Sequence, residues 1–108
     1  MSMSTGARET LATAQSKDDL GPWISCATFC GRAGHASVRA YGTWDGTTVT
    51  LQTAADSAGT GAATLENFSL TANGSKVIEV SYLDFIRVVT TGGTAPAVTV
   101  IASPHDRL

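Results

Sequence analysis

The two cysteines and the histidines near them are the first residues that could carry chemistry. Cys26 and Cys30 are followed by His35, whereas His105 lies far along the chain. A structural zinc site needs about four such ligands. A strand through residues 24–29 would place the two thiols about 13 Å apart at ~3.3 Å per residue, whereas a disulfide needs Cα atoms within about 7 Å. We therefore expect two small buried thiols, with neither zinc nor a local disulfide.

Carboxylates are the second candidates, either as an acid–base pair or as cation ligands. Glu66, Glu79 and Asp84 lie in or beside expected strands, and their spacing pairs none of them. Asp56 is the one carboxylate of the loop AADSAGTGAA, whereas Ca²⁺ takes about six to eight oxygens. The stretches GTG and TGG predict turns and not phosphate loops, because no helix is expected after them. We expect no catalytic residue, no metal and no cofactor.

The aromatic residues raise the alternative of a carbohydrate-binding surface. Trp44, Tyr41 and Tyr82 could stack on sugar rings, and the chain has seven aromatic residues in all. Asp45-Gly46, in the stretch TWDGTTVTLQ, is a strong signal for a type I′ turn. A hairpin built on that turn turns Trp44 toward the core. The turn therefore favours a core role for Trp44 over a sugar platform.

Three glycine turns predict hairpins and their strand faces. Around Asp45-Gly46, counting outward pairs Ala40 with Leu51 and sorts apolar from polar residues onto opposite faces. Asn73-Gly74 predicts a second hairpin, without a fixed register. Gly92-Gly93 predicts a third hairpin with an odd-length loop. Pro96 then marks the start of the last strand or a sheet edge.

Short strands separated by Gly, Asn, Asp and Pro predict an all-β fold, an antiparallel β-sandwich or barrel. The expected strands cover residues 23–29, 36–44, 47–53, 63–70, 76–82, 84–90 and 96–102. The chain length fits one domain, which we place at residues 21–108. Residues 1–20 are polar and lack aromatic residues, so we expect an arm that is flexible or is ordered by a partner.

Charge and hydropathy exclude several classes of protein. The net charge is -2, and the seven Lys and Arg residues are scattered along the chain. Nucleic-acid binders usually show a clustered basic face, so we expect no nucleic-acid partner. No apolar run approaches the roughly 20 residues of a membrane span, and we expect no membrane contact. The N-terminus lacks the apolar region of a secretory signal, so synthesis in a cytoplasm with reduced thiols is expected.

The order of the motifs resembles a family of small β-sandwich virion proteins of tailed bacteriophages. A PW entry is followed by YGTWDGTTVTLQ and later by FSLTANGSKVIEVSYLDFIRVVTTGGTAPAVTVI. The family has a V-T-L-Q strand, an LTANG turn, an IRV strand and a final GG…P-x-V-T-V stretch. The resemblance spans about residues 21–102 of this chain.

The resemblance implies a jelly-roll-like sandwich with a structural role on the virion. It implies decoration or cementing of the outer capsid surface, no cofactor and no catalytic residue. The partners expected from it are the major capsid protein and further copies of this chain, as a dimer or trimer. Assembly would take place in the host cytoplasm. The alternatives are a head–tail connector or other tail-associated structural protein, and a carbohydrate-binding module on a host-recognition structure.

The N-terminal segment is where we expect the capsid contact. An arm can fold on binding and lie across neighbouring subunits, with Trp23 as its anchor. The candidate interface residues are Arg8, Leu11, Lys17, Leu20 and Trp23. We expect residues 1–20 to make part of the capsid contact, so deleting residues 2–18 should abolish capsid binding and leave a folded sandwich.

Overall fold

Alternation of apolar and polar side chains sets most of the strands in this protein. The computed structural model describes residues 7–30, 34–81 and 83–105. It contains eight strands: β1 (Glu9–Gln15), β2 (Ile24–Ser25), β3 (His35–Thr43), β4 (Thr48–Ala54), β5 (Ala63–Leu70), β6 (Gly74–Glu79), β7 (Phe85–Thr91) and β8 (Ala97–Pro104). A short 3-10 helix, Cys26–Thr28, follows β2.

The strands form two four-stranded antiparallel sheets. Sheet A has the order β1-β8-β3-β6, and sheet B has the order β2-β7-β4-β5. This is the strand arrangement of a jelly roll, in which two Greek keys wrap into a sandwich. The prediction of an all-β, jelly-roll-like antiparallel sandwich is confirmed.

The core lies between the two sheets and is built from small and medium apolar side chains. Sheet A contributes fully buried Val38, Val98 and Val100, and sheet B contributes Leu51 and Val88. Residues two apart along a strand share one face, which is why these side chains recur at alternate positions. Most polar residues of the strands lie on the two outer faces, and Gln15, Thr47 and Thr90 are buried.

Three of the connections differ from their prediction. Asp45 and Gly46 have positive φ values of 46° and 90°, and the Thr47 amide donates to the Trp44 carbonyl at 2.8 Å. The tight turn is therefore present, but β3 and β4 belong to different sheets. The predicted hairpin pairing is wrong.

The two apolar faces meet across the core instead of side by side. Ala40 pairs with Gly74 and Val100, and Leu51 pairs with Val88. A strand that crosses to the other sheet must also turn its apolar face inward. For this reason the alternation of residues is the same for a hairpin and for a crossing turn.

The other two predicted hairpins are wrong for the same reason. The turn at Asn73-Gly74 joins β5 in sheet B to β6 in sheet A, and the turn at Gly92-Gly93 joins β7 to β8 across the sandwich. Among the described strands, β4 and β5 are the consecutive pair that are also neighbours in a sheet. They are joined by residues 55–62.

The N-terminal segment also differs from its prediction within the described residues. Glu9–Gln15 is β1, an edge strand of sheet A paired with β8, and Leu11 is buried to 1% exposure. Residues 7–20 are therefore part of the sandwich and not a separate arm. Residues 1–6 lie outside the described residues.

An irregular β1 explains why the sequence pattern missed it. Register shifts occur between Thr10 and Ala12 and between Ala12 and Gln15. Ala14 has a positive φ of 46°. Such bulges interrupt the alternation of faces, so Leu11 and Ala12 are both buried. The period of two that identifies a strand is lost.

A buried polar cluster fixes the segment between β1 and β2. The side-chain amide of Gln15 donates to the carbonyls of Asp19 and Val88, at 3.0 Å each. The Thr90 hydroxyl bonds to the Ser16 carbonyl and accepts from the Asp19 amide at 3.1 Å. The Val88 carbonyl also accepts from the Gly21 amide at 2.8 Å, and the Asp19 carbonyl accepts from the Thr90 amide at 3.1 Å. They hold residues 16–20 against β7.

Candidate functional site

The five candidate interface residues do not share one surface. Arg8 lies beside sheet A, where its Nε donates to the Ser103 hydroxyl at 3.4 Å. Leu11 is in the core. Lys17 is exposed in the turn after β1. Leu20 and Trp23 lie together against sheet B.

Leu11 is buried in the core, so its side chain is not accessible to a partner. An arm that waits for a partner would keep its apolar side chains accessible, whereas Leu11 is already packed among buried core residues. Leu20 behaves in the opposite way, because 53% of its surface is exposed. Of these two leucines, Leu20 is therefore the one that a partner can reach.

The outer side of sheet B carries a mixed apolar and cationic surface, which we call the Trp23 face. It consists of Leu20, Trp23, Phe85, Arg87 and Val89. The intervening residues of β7 are buried, so Phe85, Arg87 and Val89 point outward. Leu20 faces Val89 in an isolated antiparallel bridge.

Arg87 is held rigidly at the centre of the Trp23 face. Its guanidinium carbon lies 4.5 Å from the centroid of the Trp23 ring, and its Nε donates to the Gln52 side chain at 2.8 Å. A Cβ added to Gly59 would come within 3.0 Å of the indole nitrogen, so the 55–62 loop lies against Trp23. A fixed arginine on an aromatic ring is a common feature of protein interfaces.

The aromatic residues considered for sugar binding are separated. Trp44 is half-buried against the core, and its indole N–H donates to the Asn73 side-chain oxygen at 2.7 Å. Tyr41 lies on β3 and is 44% exposed. Tyr82 lies outside the described residues. Trp44 thus has the core contact expected from the sequence, and Tyr41 is the more accessible of the two described rings.

The two thiols lie around the short 3-10 helix and are buried. Burial, followed by the nearby Asp84 carboxylate, raises the pKa of Cys26 from its ordinary value of 9.0 to about 12. The Cys30 Sγ donates to the Val80 carbonyl at 3.6 Å. Cys26 is therefore held as an unreactive neutral thiol.

The candidate metal ligands are not brought together. Within residues 7–30, 34–81 and 83–105, no group of three or more His, Cys, Asp or Glu side chains is placed to hold a metal ion. Asp56 accepts from the amides of Ala58 and Thr60 at 2.9 and 3.1 Å. A hydrogen bond from the Thr60 side chain, followed by that from the Thr60 amide, lowers the pKa of the Asp56 carboxyl. The Asp56 carboxylate therefore stabilises the 55–62 loop through hydrogen bonds within that loop.

A cleft opens along the side of the sandwich, where the edge strands β5 and β6 lie opposite each other. Its volume is about 480 Å³, and its lining includes His35, Thr53, Glu66, Asn67 and Glu79. Small-ligand sites typically measure about 300–1,000 Å³. No sequence motif marks this cleft, because its residues come from four strands and meet only in the folded protein.

His35 lines this cleft and has one buried ring nitrogen without a partner. It stands opposite Glu79 in the β3–β6 ladder, and its Nδ1 is buried without a hydrogen-bond partner. A buried polar atom without a partner costs about 1–3 kcal/mol.

A scan against protein-family models and searches of curated proteins and of solved structures find no match to this chain. In the part of the chain that the structure describes, no helix is long and apolar enough to cross a membrane.

Proposed function

We propose that this chain is a structural virion protein of a tailed bacteriophage that binds the outer capsid surface and reinforces contacts between capsomers. The observation that carries the proposal is the jelly-roll strand order of the two sheets. Viral capsid domains are one of the main uses of that architecture. The motifs that resemble phage virion proteins run through the same strands, from β2 to β8.

The Trp23 face is the surface that we assign to the capsid. It combines a half-buried tryptophan and a fixed arginine with exposed Leu20. Trp and Arg are the residues that most often dominate binding energy. A decoration protein present as a dimer or trimer would repeat this contact, and linked weak contacts bind far more tightly than one alone.

Carbohydrate binding is the second candidate, because Tyr41 exposes 44% of its surface on the outer side of sheet A. Lectin domains also use the jelly roll. A host-recognition role would place a sugar on Tyr41, whereas capsid decoration would use the opposite sheet. The two candidates therefore predict different sensitive residues.

The experiment is to add purified protein to capsids that lack it and to measure bound copies by sedimentation. Leu20→Asp places a charge in the Trp23 face without disturbing the core, and Tyr41→Ala is the matched control on sheet A. We expect wild type and Tyr41→Ala to saturate the capsids and to raise their melting temperature. We expect Leu20→Asp to bind at least about 30-fold more weakly, because it would bury an unpaired charge in the contact.

The results that contradict the proposal are distinct for each part of it. Wild-type protein that does not bind capsids would remove the decoration role. Full binding by Leu20→Asp would remove the Trp23 face as the contact. Binding of wild-type protein to host-surface glycans, lost in Tyr41→Ala, would favour the carbohydrate-binding role.

A further inference from the structure

Arg87 carries a positive charge that is paired with no carboxylate among the described residues. Its hydrogen-bonding and ring contacts there are with the Gln52 side chain and the Trp23 ring, and both of these groups are uncharged. The side chain of Arg87 is half-buried on β7, so protein excludes part of the water that would solvate the guanidinium. A partly desolvated charge of this kind is stabilised by an opposite charge brought by a partner.

The two contacts of Arg87 leave one side of its guanidinium available for hydrogen bonding. The guanidinium carbon is held 4.5 Å from the centroid of the Trp23 ring, and the Nε donates to the Gln52 side chain at 2.8 Å. The remaining donors are on Nη1 and Nη2, which lie side by side in a planar fork. Such a fork matches the two oxygens of a carboxylate. Because the guanidinium is already held in place, this pairing loses little further side-chain entropy.

The surroundings of Arg87 are apolar or uncharged. Phe85 and Val89 lie two residues before and after it, half-buried on the same outer side of β7, and Leu20 faces Val89. The outward side chains of the neighbouring strand β4 are those of Thr48, Thr50 and Gln52. The complementary group is therefore a single carboxylate flanked by apolar side chains.

A symmetric contact with a second copy of this chain does not supply that carboxylate. In a two-fold dimer the same patch of both copies meets itself, and the Trp23 face contains Arg87 and no acidic residue. Asp56 lies in the neighbouring 55–62 loop, but its carboxylate already accepts from the amides of Ala58 and Thr60. Two copies joined through this face would bring like charges together, which is unfavourable. The charge therefore favours a different protein as the partner.

We infer that the Trp23 face receives an aspartate or glutamate side chain of the capsid protein, flanked by apolar residues, and that its carboxylate pairs with Nη1 and Nη2 of Arg87. This inference rests on the proposed function, which supplies the identity of the partner. It adds the chemical group that the capsid presents to this chain. The residues that flank the carboxylate then pack against Leu20, Phe85 and Val89.

Two variants with the same change of net charge test the ion pair. Arg87→Gln removes the charge from the Trp23 face, and Arg39→Gln removes an exposed arginine from sheet A as the matched control. Binding to capsids that lack the protein is measured by sedimentation. We expect Arg87→Gln to bind about 10- to 100-fold more weakly, the effect of leaving a carboxylate unpaired in the contact, and Arg39→Gln to match wild type. Equal weakening in both variants, or full binding by Arg87→Gln, would overturn the inference.

Arg87→Lys identifies the partner group directly. The variant keeps the positive charge but replaces the planar fork by a compact ammonium, so we expect its affinity to lie between those of wild type and Arg87→Gln. A carbodiimide applied to the decorated capsids joins an adjacent carboxylate to the amine at position 87 as an amide. Mass spectrometry should find position 87 linked to an Asp or Glu of the major capsid protein.

Tyr41→Lys is the control for this coupling, because it places an amine on the outer side of sheet A. We expect no link from position 41 to the capsid protein. A link from position 87 to a second copy of this chain, or no link from position 87, would overturn the inference. Equally frequent links from positions 41 and 87 would show unspecific coupling and would also overturn it.

The binding assay separates this inference from the proposed function. Wild-type protein that does not bind capsids would overturn both. Weak binding by Leu20→Asp together with full binding by Arg87→Gln would leave decoration through the Trp23 face in place and would overturn the carboxylate pair alone. Weak binding by both variants, with wild-type binding by Arg39→Gln, is the result we expect.

Discussion

The guanidinium of Arg87 lies 4.5 Å from the centre of the Trp23 ring, on the outer side of sheet B. The contact joins a central strand to the residue that leads into the short edge strand β2. Gln52 on β4 fixes the same guanidinium from the other side, through a 2.8 Å hydrogen bond. Three elements of the sheet are thus tied together at the centre of the Trp23 face.

Arg87→Ala should lower the free energy of unfolding by about 1 kcal/mol, the contribution of a partly desolvated cation–π pair. Trp23 fluorescence should change as the ring gains solvent. Chemical denaturation followed by fluorescence measures both effects. Arg39→Ala is the control, because Arg39 is exposed on sheet A and should change stability by less than about 0.5 kcal/mol. Equal effects of the two variants would show that the Trp23 stack contributes nothing.

Leu11 and Leu20 should respond in opposite ways to truncation. Leu11→Ala removes a side chain of 1% exposure from the core and should cost about 2–5 kcal/mol of unfolding free energy. Leu20→Ala, at 53% exposure, should cost less than about 0.5 kcal/mol. Thermal denaturation of the two variants compares them directly.

Deleting residues 2–18 is a stronger test of whether β1 belongs to the folded sandwich. The deletion removes β1 and uncovers the edge of β8, so we expect loss of the cooperative unfolding transition. A truncated protein that melts like wild type would return this segment to the status of a separate arm.

Asn73→Ala should lower the free energy of unfolding, because Asn73 stabilises the connection between β3 and β4. The Asn73 Oδ1 accepts from the Trp44 indole at 2.7 Å and from the Gly42 amide at 3.2 Å. Losing both hydrogen bonds should cost about 1–3 kcal/mol. Asn73→Asp keeps an acceptor oxygen and is the matched variant, expected to retain most of the stability. An Asp variant as unstable as the Ala variant would contradict a role for these hydrogen bonds.

Cys26 should remain unreactive until the protein unfolds. Its pKa is raised to about 12 by burial and by Asp84, so the folded state favours the neutral thiol. That stabilisation is fully present below the unfolded pKa of 9.0 and is lost as the pH rises toward 12. We therefore expect unfolding free energy to fall between these two values.

A Cys30→Ser variant isolates Cys26 for a labelling measurement. At pH 8, native protein should react with a thiol reagent about a thousandfold more slowly than unfolded protein, the ratio of the two thiolate fractions. A native rate equal to the unfolded rate would show an accessible thiol. Cys26→Ser in the same assay reports the reactivity of Cys30.

Most of the strands were predictable, because a period of two survives wherever one face of a sheet covers the core. The predicted range 63–70 coincides with β5, and the strands from β3 to β8 lie within a few residues of their predictions. The pairing of strands was not predictable in the same way. Asp45-Gly46 fixes a tight turn, but the turn alone does not decide whether the chain returns in the same sheet or crosses to the other.

The accessibility of the candidate interface residues was predictable only in part, for a related reason. Leu20 is exposed and Trp23 is half-buried, whereas Leu11 looked accessible only because the bulges of β1 hid its strand. The β5–β6 cleft had no signal in the sequence. Glu66 and Glu79 lie on separate strands, and their shared surface arises from the way the two sheet edges face each other.

The most direct test of the central claim is the number of copies per virion, measured by quantitative mass spectrometry against the major capsid protein. We predict a count in the hundreds, near one copy per capsid subunit, as the repeated contacts of a decoration protein require. A count of about a dozen or fewer would contradict decoration and place the protein in a connector or tail ring. Its absence from purified virions would contradict the structural role altogether.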